Sequence, residues 1–470
     1  MKNIIKHNLK QKIWLTGCVT LLFVLCRPMM QLMTYENEKR YAITKEALIS
    51  VMERFFLPNV FTDYVPTAIA CVVIGIVFFS YLFSKKRVDL YHSIPVDRRH
   101  LFVANYISGV VVYLIALFAE FIICTFVAIP NHYMTLVSVE NMIAALFINF
   151  VHFMFGYGVV ITAIMLSGNA VVALALSAVI ALIYPVVVSL IRYFEGYFYV
   201  TYNNCDIVKQ NLLTKYYWLS PITSYATIIQ RVNYEWELFY YEKVSMAYAA
   251  LILPLIMTIV FTAIAYLLYM KRPSEAAGRA IAFKNTRAYI EIPFVITCGL
   301  TGGWFMSTSM NTYKPSWIWI GVLLGAILSH CVLEAILNES FKSILSHKIQ
   351  FVVSIAVVVI IMGIFYTDAT KYDYYVPNKD SVASANVYFC DIDSNLSSIE
   401  FIEDEKNPGY YVPEYKDRQD TLFTQRFTDG VMIEKIIGIS NIGVSCVPEM
   451  IDRKQSNEDE AYYGKYDYAT

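Results

Sequence analysis

The stretch LYHSIPVDRRHLF, residues 90–102, separates two long apolar runs: YVPTAIACVVIGIVFFSYLF (64–83) before it and VANYISGVVVYLIALFAEF (103–121) after it. Each run reaches the length of about 20 apolar residues that a bilayer span needs. A short polar segment holding one proline, one aspartate, two arginines and two histidines therefore joins two membrane spans.

Runs of the same length recur on either side. Candidate spans cover 13–33, 65–84, 101–129, 142–166, 171–191, 247–270, 290–309, 315–337 and 349–366. Composition agrees. Charged residues make up 16% of the 470-residue chain, below the roughly 25% of soluble domains, and the mean hydropathy is +0.49. The net charge of -1 offers no field for nucleic acid. The sequence predicts an all-α polytopic membrane protein with about nine transmembrane helices. Residues 1–270 form a six-span core and 271–366 add three spans. Residues 13–33 read as a retained first span, because no small-residue cleavage pattern follows.

Basic residues orient the spans. Lys2, Lys6, Lys10 and Lys12 precede the first; Lys85, Lys86, Arg87, Arg98 and Arg99 lie between the second and third; Lys271, Arg272, Arg279, Lys284 and Arg287 follow the sixth; Lys342 and Lys348 follow the eighth. With nine spans, all four segments share one side, which the positive-inside rule makes cytoplasmic. The protein is then expected in the plasma membrane with a cytoplasmic N-terminus. Residues 2–10 carry Ile4, Ile5 and Leu9 on one helical face, a pattern for a helix lying on lipid.

Three segments fall on the opposite side: the loop 34–64, then 192–246 and 367–470. Residues 192–246 are rich in Tyr and Trp, which favour the membrane interface, and read as a loop with one or two short helices. Residues 367–470 combine weakly alternating segments with a mixed apolar run, VMIEKIIGISNIG (431–443), and predict a small extracytoplasmic α+β domain with a loose tail. Cys390 and Cys446 are its candidate disulfide in that oxidising compartment. No CxxC pair or His cluster joins the cysteines, so no zinc or iron–sulfur signature arises.

Arg27 and Glu120 are charges deep within the first and third spans. Such charges are costly in lipid and turn inward or pair, so an Arg27–Glu120 ion pair or a snorkelling Arg27 is expected, with a polar element in a translocation route as the functional alternative. Pro28 interrupts the hydrogen-bond ladder next to Arg27, where the helix bends or nears its end. Glu291 and Glu334 mark the inner ends of two later spans without forming a row of ionisable groups. GLTGGW (299–304) offers close helix approach.

The sequence holds no GxxxxGK[ST] phosphate loop, no HExxH and no GxSxG. An enzyme is not expected, and energy for any transport must come from a gradient or a partner. In residues 90–102, Pro95 fixes a turn and extends the residue before it. Asp97 fits the N-cap of the next helix. Apolar Leu90, Tyr91 and Ile94 beside Arg98 and Arg99 read as a docking surface.

Two segments resemble one family. LYHSIPVDRRHLFVANYISG (90–109) is similar to the cytoplasmic segment between spans two and three of ABC transporter permeases of the type-2 exporter class, in their long clostridial and bacillar branch. YLLYMKRPSEAAGRAIAFK (266–284) is similar to the segment closing the sixth span in that branch. The resemblance implies a permease subunit that binds no cofactor itself. It would pair with a second permease, alike or different, in membrane lipid, and work with separate cytoplasmic ATPase subunits that bind ATP and magnesium. It assigns ATPase coupling to Leu90, His92, Ser93, Ile94, Pro95, Val96, Arg98 and Arg99. A second motif, of less defined role, falls on Arg272, Glu275, Ala277 and Gly278. Ile94 stands where the family has Leu, and His100 where it has Glu. The alternatives are a gradient-driven transporter and a membrane sensor or anchor that displays 367–470.

Overall fold

A computed structural model describes residues 2–41, 44–93, 95–202, 215–238, 249–310, 314–338, 347–383, 385–386, 399–403, 411–415, 426–427 and 430–456. Among them, nine helices are long and apolar enough to cross a membrane: Ile13–Arg40, Leu48–Phe83, Arg98–Ala128, Leu136–Leu166, Ala170–Phe198, Ile252–Lys271, Arg287–Met310, Pro315–Asn338 and Lys348–Tyr366. The protein is a polytopic all-α membrane protein, as the apolar runs predict.

The chain divides into two units. The first comprises Met1–Leu190, Asn211–Gly302 and Val322–Ala356. It opens with α1 (Lys2–Gln11), α2 (Ile13–Tyr41) and α3 (Lys45–Phe55). Helix α2 continues through Pro28 for more than three further turns, so the span neither stops nor frays at that residue. A single π turn, Val60–Tyr64, leads into α4 (Val65–Phe79). Asn59 caps that turn, its Oδ1 accepting from the Phe61 amide at 2.8 Å. Helix α5 (Lys85–Ser93) precedes α6 (Arg98–Ala128), followed by α7 (Leu136–Leu166) and α8 (Ala170–Phe198). Helix α9 (Pro221–Leu238) and α10 (Ile252–Lys271) come next, then α11 (Arg287–Met310), α12 (Pro315–Asn338) and α13 (Lys348–Tyr366).

The core of this unit is aromatic. Tyr113 stacks on Phe153 with ring centroids 3.7 Å apart, and Phe153 stacks on Tyr157 at 5.1 Å. Phe23 meets Tyr113 edge-on. Lipid tails are as apolar as these side chains, so close packing and interhelical hydrogen bonds, not exclusion from water, hold the helices together. Helix α9 belongs to this core: Tyr225, Ile228, Ile229 and Val232 are buried with Ile148 and Val151 of α7. The aromatic segment 192–246 thus contributes a packed helix. Helix α1 forms as the periodicity of 2–10 predicts, and its Asn8 donates to Asn105 of α6 at 2.8 Å.

The second unit comprises Ile191–Gln210, Gly303–Gly321 and Val357–Thr470. Within it, Phe194 and Phe198 at the end of α8 pack against Phe365 of α13. Asp373 accepts from the amides of Val200 and Thr201 and from the Thr201 hydroxyl.

Among the described residues of 367–470, the expected α+β domain is not formed. The longest regular elements there are helices, α14 (Gly430–Ser445) and α15 (Val447–Ser456). Strand pairing is confined to two separate antiparallel ladders, Ala385–Asn386 with Arg426–Phe427 and Ile399–Glu403 with Tyr411–Tyr415. A two-stranded ribbon is marginal unless a third strand or a helix covers it. Ile433 and Val447 are the only buried apolar side chains described beyond residue 367, too few for a core. The run 431–443, whose pattern fits either element type, is helical. Cys446 is a half-buried thiol in the short break between α14 and α15; Cys390 lies outside the described residues.

Candidate functional site

Helix α5 and the first turn of α6 carry the segment that resembles a coupling loop. Two anchors hold α5. Val88 is 2% exposed, and Tyr91 stacks on Tyr81 with centroids 4.5 Å apart. Tyr81 in turn donates from its hydroxyl to that of Tyr269 at 2.9 Å. Beyond the anchors the segment is open. Leu90 is 63% exposed, and Ser93, Pro95, Arg98 and Arg99 are exposed, while Val96 is half-buried. The Ser93 hydroxyl closes the helix end on the Leu90 carbonyl at 2.8 Å. His92 lies on α5, and Ile94 lies outside the described residues.

Asp97 occupies the N-cap position of α6, with its carbonyl accepting from the Leu101 amide at 3.1 Å. Its side chain makes no capping hydrogen bond. The carboxylate stands 3.7 Å from the His100 ring instead. The expected cap is therefore a backbone cap only.

The two family-like segments meet in space. Arg98 donates to the carbonyl of Arg272 at 3.5 Å. Arg272 itself is 5% exposed. Its guanidinium donates to the carbonyls of Ile164 and Met165 at 2.7 and 2.8 Å and of Leu82 at 3.3 Å. Helix C-termini leave carbonyls unpaired and carry partial negative charge, so one planar cation ties the last turn of α7 to the short 3₁₀ turn that follows α4. Burial pushes the Arg272 pKa down to about 10, which leaves it charged at neutral pH.

The chain after Arg272 is bound just as closely. Gly278 has a φ of +84°, open to glycine without a Cβ penalty. Its amide donates to Gly168 at 2.9 Å, and the Ala282 amide donates to Leu166 at 2.8 Å. A Cβ on Gly168 would lie 2.0 Å from the carbonyl of Ala276, so the α7–α8 turn and segment 272–282 touch backbone to backbone. Ala277 is 1% exposed. Glu275 is exposed and 3.5 Å from Arg279. The second motif is a structural clamp adjoining the first.

A second polar cluster lies inside the membrane-spanning core. Arg27, Asp63 and Glu120 are each 0% exposed. Arg27 Nη2 meets Asp63 Oδ2 at 2.6 Å, whereas its Nε stands 3.8 Å from Glu120 Oε1. The expected Arg27–Glu120 pair is thus the looser of two, and neither Glu120 oxygen has a hydrogen-bond partner. Asp63 also accepts from the Asn59 amide at 2.8 Å and from Asn149 Nδ2 at 2.9 Å. Tyr225 donates to Asn149 Oδ1 at 2.8 Å. Sequence reasoning missed Asp63 because it sits outside the apolar run, in a segment that reads as a loop. The π turn capped by Asn59 carries it inward.

A third cluster joins Glu291, His330 and Glu334, each buried. Glu334 takes Arg287 at 2.6 Å. The two glutamates are legible singly in the sequence; their meeting is not.

No family model, curated protein or solved structure matches this chain. Its own architecture places it among polytopic all-α membrane proteins, compatible with a transport-type role.

Proposed function

We propose that the chain is the membrane-spanning permease subunit of an ATP-driven ABC exporter, coupled through residues 90–99 to a separate cytoplasmic ATPase. One observation carries the reading: an exposed, basic and partly apolar segment is mounted on the buried Arg272 clamp. Force applied at Leu90, Pro95, Arg98 or Arg99 would reach the ends of α6 and α10 through the Arg98–Arg272 contact. Through the Arg272 guanidinium it would reach the ends of α7 and the span before α5. A free surface loop would dissipate such a push; a segment tied to four helix ends passes it on. The chain's own lack of a phosphate loop and the positive-inside orientation of this segment support the same reading. The two family-like segments also lie side by side, as a shared mechanical role requires.

ATP and magnesium would be held by the ATPase, and a second permease would complete the transport path. The test is purification of the full chain from its native membrane in mild detergent, with and without a non-hydrolysable ATP analogue. A stoichiometric ATPase subunit whose retention responds to nucleotide is expected. Recovery of the chain without any nucleotide-binding partner, together with uptake or efflux driven by an ion gradient in vesicles, would overturn the proposal in favour of gradient-driven transport.

A further inference from the structure

We propose that Glu291, His330 and Glu334 form a binding site for a divalent transition-metal cation between α11 and α12. The site shares no residue with the coupling segment and does not depend on the function proposed for it.

The helices supply the donors by spacing. Glu291 stands in the second turn of α11. His330 and Glu334 are four residues apart on α12 and so share one face. Close approach of the two helices comes from their glycines: a Cβ on Gly325 would lie 2.7 Å from the Cys298 carbonyl. One ligand atom from each of Glu291, His330 and Glu334 lies within 4.8 Å of the other two. Ligand distances of about 2.0–2.2 Å around a central ion are reached from there by small side-chain movements.

Charge points the same way. Glu291 and Glu334 are 0% exposed and His330 is 2% exposed. Two buried carboxylates are costly in a membrane-spanning helix pair. Arg287 lies against both, with its Nη2 2.6 Å from Glu334 and its Nε 3.5 Å from Glu291. The independent sign of a ligand is the inner face itself. Glu291 Oε1 and His330 Nδ1 stand 3.1 Å apart, yet neither makes a hydrogen bond of acceptable geometry with any group. Both are buried and face each other.

The donor set selects the ion. One imidazole with two carboxylates suits zinc, manganese, iron or cobalt, whereas calcium and magnesium prefer oxygen donors alone. A supporting ring is present. Asn338 Nδ2 donates to Glu334 Oε2 at 2.6 Å and Arg287 donates to Asn338 Oδ1 at 3.0 Å, which fixes the Glu334 carboxylate as outer partners do in metal sites. The His330 ring is held against Phe351 at 4.5 Å. His347 Nδ1 is 3.2 Å from Glu334 and 37% exposed. It lines a cavity of about 510 Å³ with Arg287 and Asn338, the two residues that hold Glu334.

The test uses the full chain in detergent, stripped with a chelator and then titrated with cobalt(II) or zinc(II). Expected are about one ion per chain, a visible cobalt spectrum displaced by zinc, and a rise in melting temperature with zinc. Glu291→Gln and His330→Gln should each weaken binding by tenfold or more, and Asn338→Ala by about 10-fold through its hold on Glu334. Cys331→Ser, next in sequence to His330, should change nothing. X-ray absorption of the cobalt-loaded wild type gives a measure independent of any variant and should show imidazole and oxygen ligands without sulfur. Wild type that binds no ion above the stripped blank would overturn the site and leave only the direct His330–Glu291 contact. So would binding that survives both Gln variants, or a sulfur ligand in the absorption spectrum.

Discussion

Arg27 Nη2 and Asp63 Oδ2 meet at 2.6 Å with both side chains fully buried, and Glu120 sits at 3.8 Å on the other side of the guanidinium. The two carboxylates do not serve Arg27 equally. Asp63 also holds hydrogen bonds from the Asn59 amide, Thr62 and Asn149, while the oxygens of Glu120 have none. Removing one partner of a buried ion pair leaves an uncompensated charge and costs about 3–5 kcal/mol. Asp63→Asn and Arg27→Met should both lower stability on that order, measured as thermal unfolding in detergent. Glu120→Gln should cost far less, because the Asp63 pair survives it. Equal losses for Asp63→Asn and Glu120→Gln would contradict this division.

The Arg272 clamp depends on a planar, forked donor. Its guanidinium serves the carbonyls of Ile164, Met165 and Leu82 together. Lysine keeps the charge but presents a single nitrogen. Arg272→Lys should therefore destabilise by roughly 1–3 kcal/mol, as expected for buried acceptors left unmet. Gly168→Ala should do comparable damage by forcing backbone apart at the Ala276 carbonyl. Melting temperatures near wild type for both would mean that segment 272–282 is not held as described.

Reversing charge at Arg98 and Arg99 addresses the proposed coupling directly. Both are exposed, so Arg98→Glu with Arg99→Glu should leave membrane insertion unchanged, and Arg99→Glu alone, which spares the Arg98–Arg272 contact, should leave melting unchanged as well. Affinity for the ATPase subunit should fall on the order of tenfold, with a weaker dependence on salt, because exposed interface charges act largely through steering and complementarity. A complex of unaltered affinity would remove this segment from the coupling role.

Lys12 supplies a pH signature. It is half-buried, donates to the Val77 carbonyl at 2.8 Å and lies over the Phe78 ring. Burial lowers its pKa to about 8. The folded state then releases a proton before the unfolded state does, whose lysine titrates near 10.4. Between those values the unfolded chain binds more protons, so stability rises with pH. Melting temperature should climb from pH 7.5 toward pH 10 by an increment (on the scale set by a single titrating group) that Lys12→Met abolishes. A fall over that window attributable to Lys12, seen as a difference from Lys12→Met, would reverse the assignment.

Apolar length and the basic segments between apolar runs are local properties. The sequence by itself pointed to about nine spans, the number of span-length apolar helices among the described residues, and to the helix near the N-terminus and the polar segment between the second and third runs, because hydrogen bonding within a helix and the width of a bilayer need no knowledge of neighbours. It also marked Arg27 and Glu120 as a candidate pair. Only the tertiary structure brought in Asp63 as the closer partner, since it lies 36 positions away in a π turn that no periodicity announces. The same holds for Arg272 against the α7 carbonyls and for Glu291 against His330: each joins residues on different helices, and side-chain pairing between helices is set by packing. The C-terminal segment failed for a related reason. Short alternating runs and the mixed run 431–443 suit strand or helix equally, and without enough buried apolar side chains no core selects a sheet. There the backbone settled into helices with two isolated ladders.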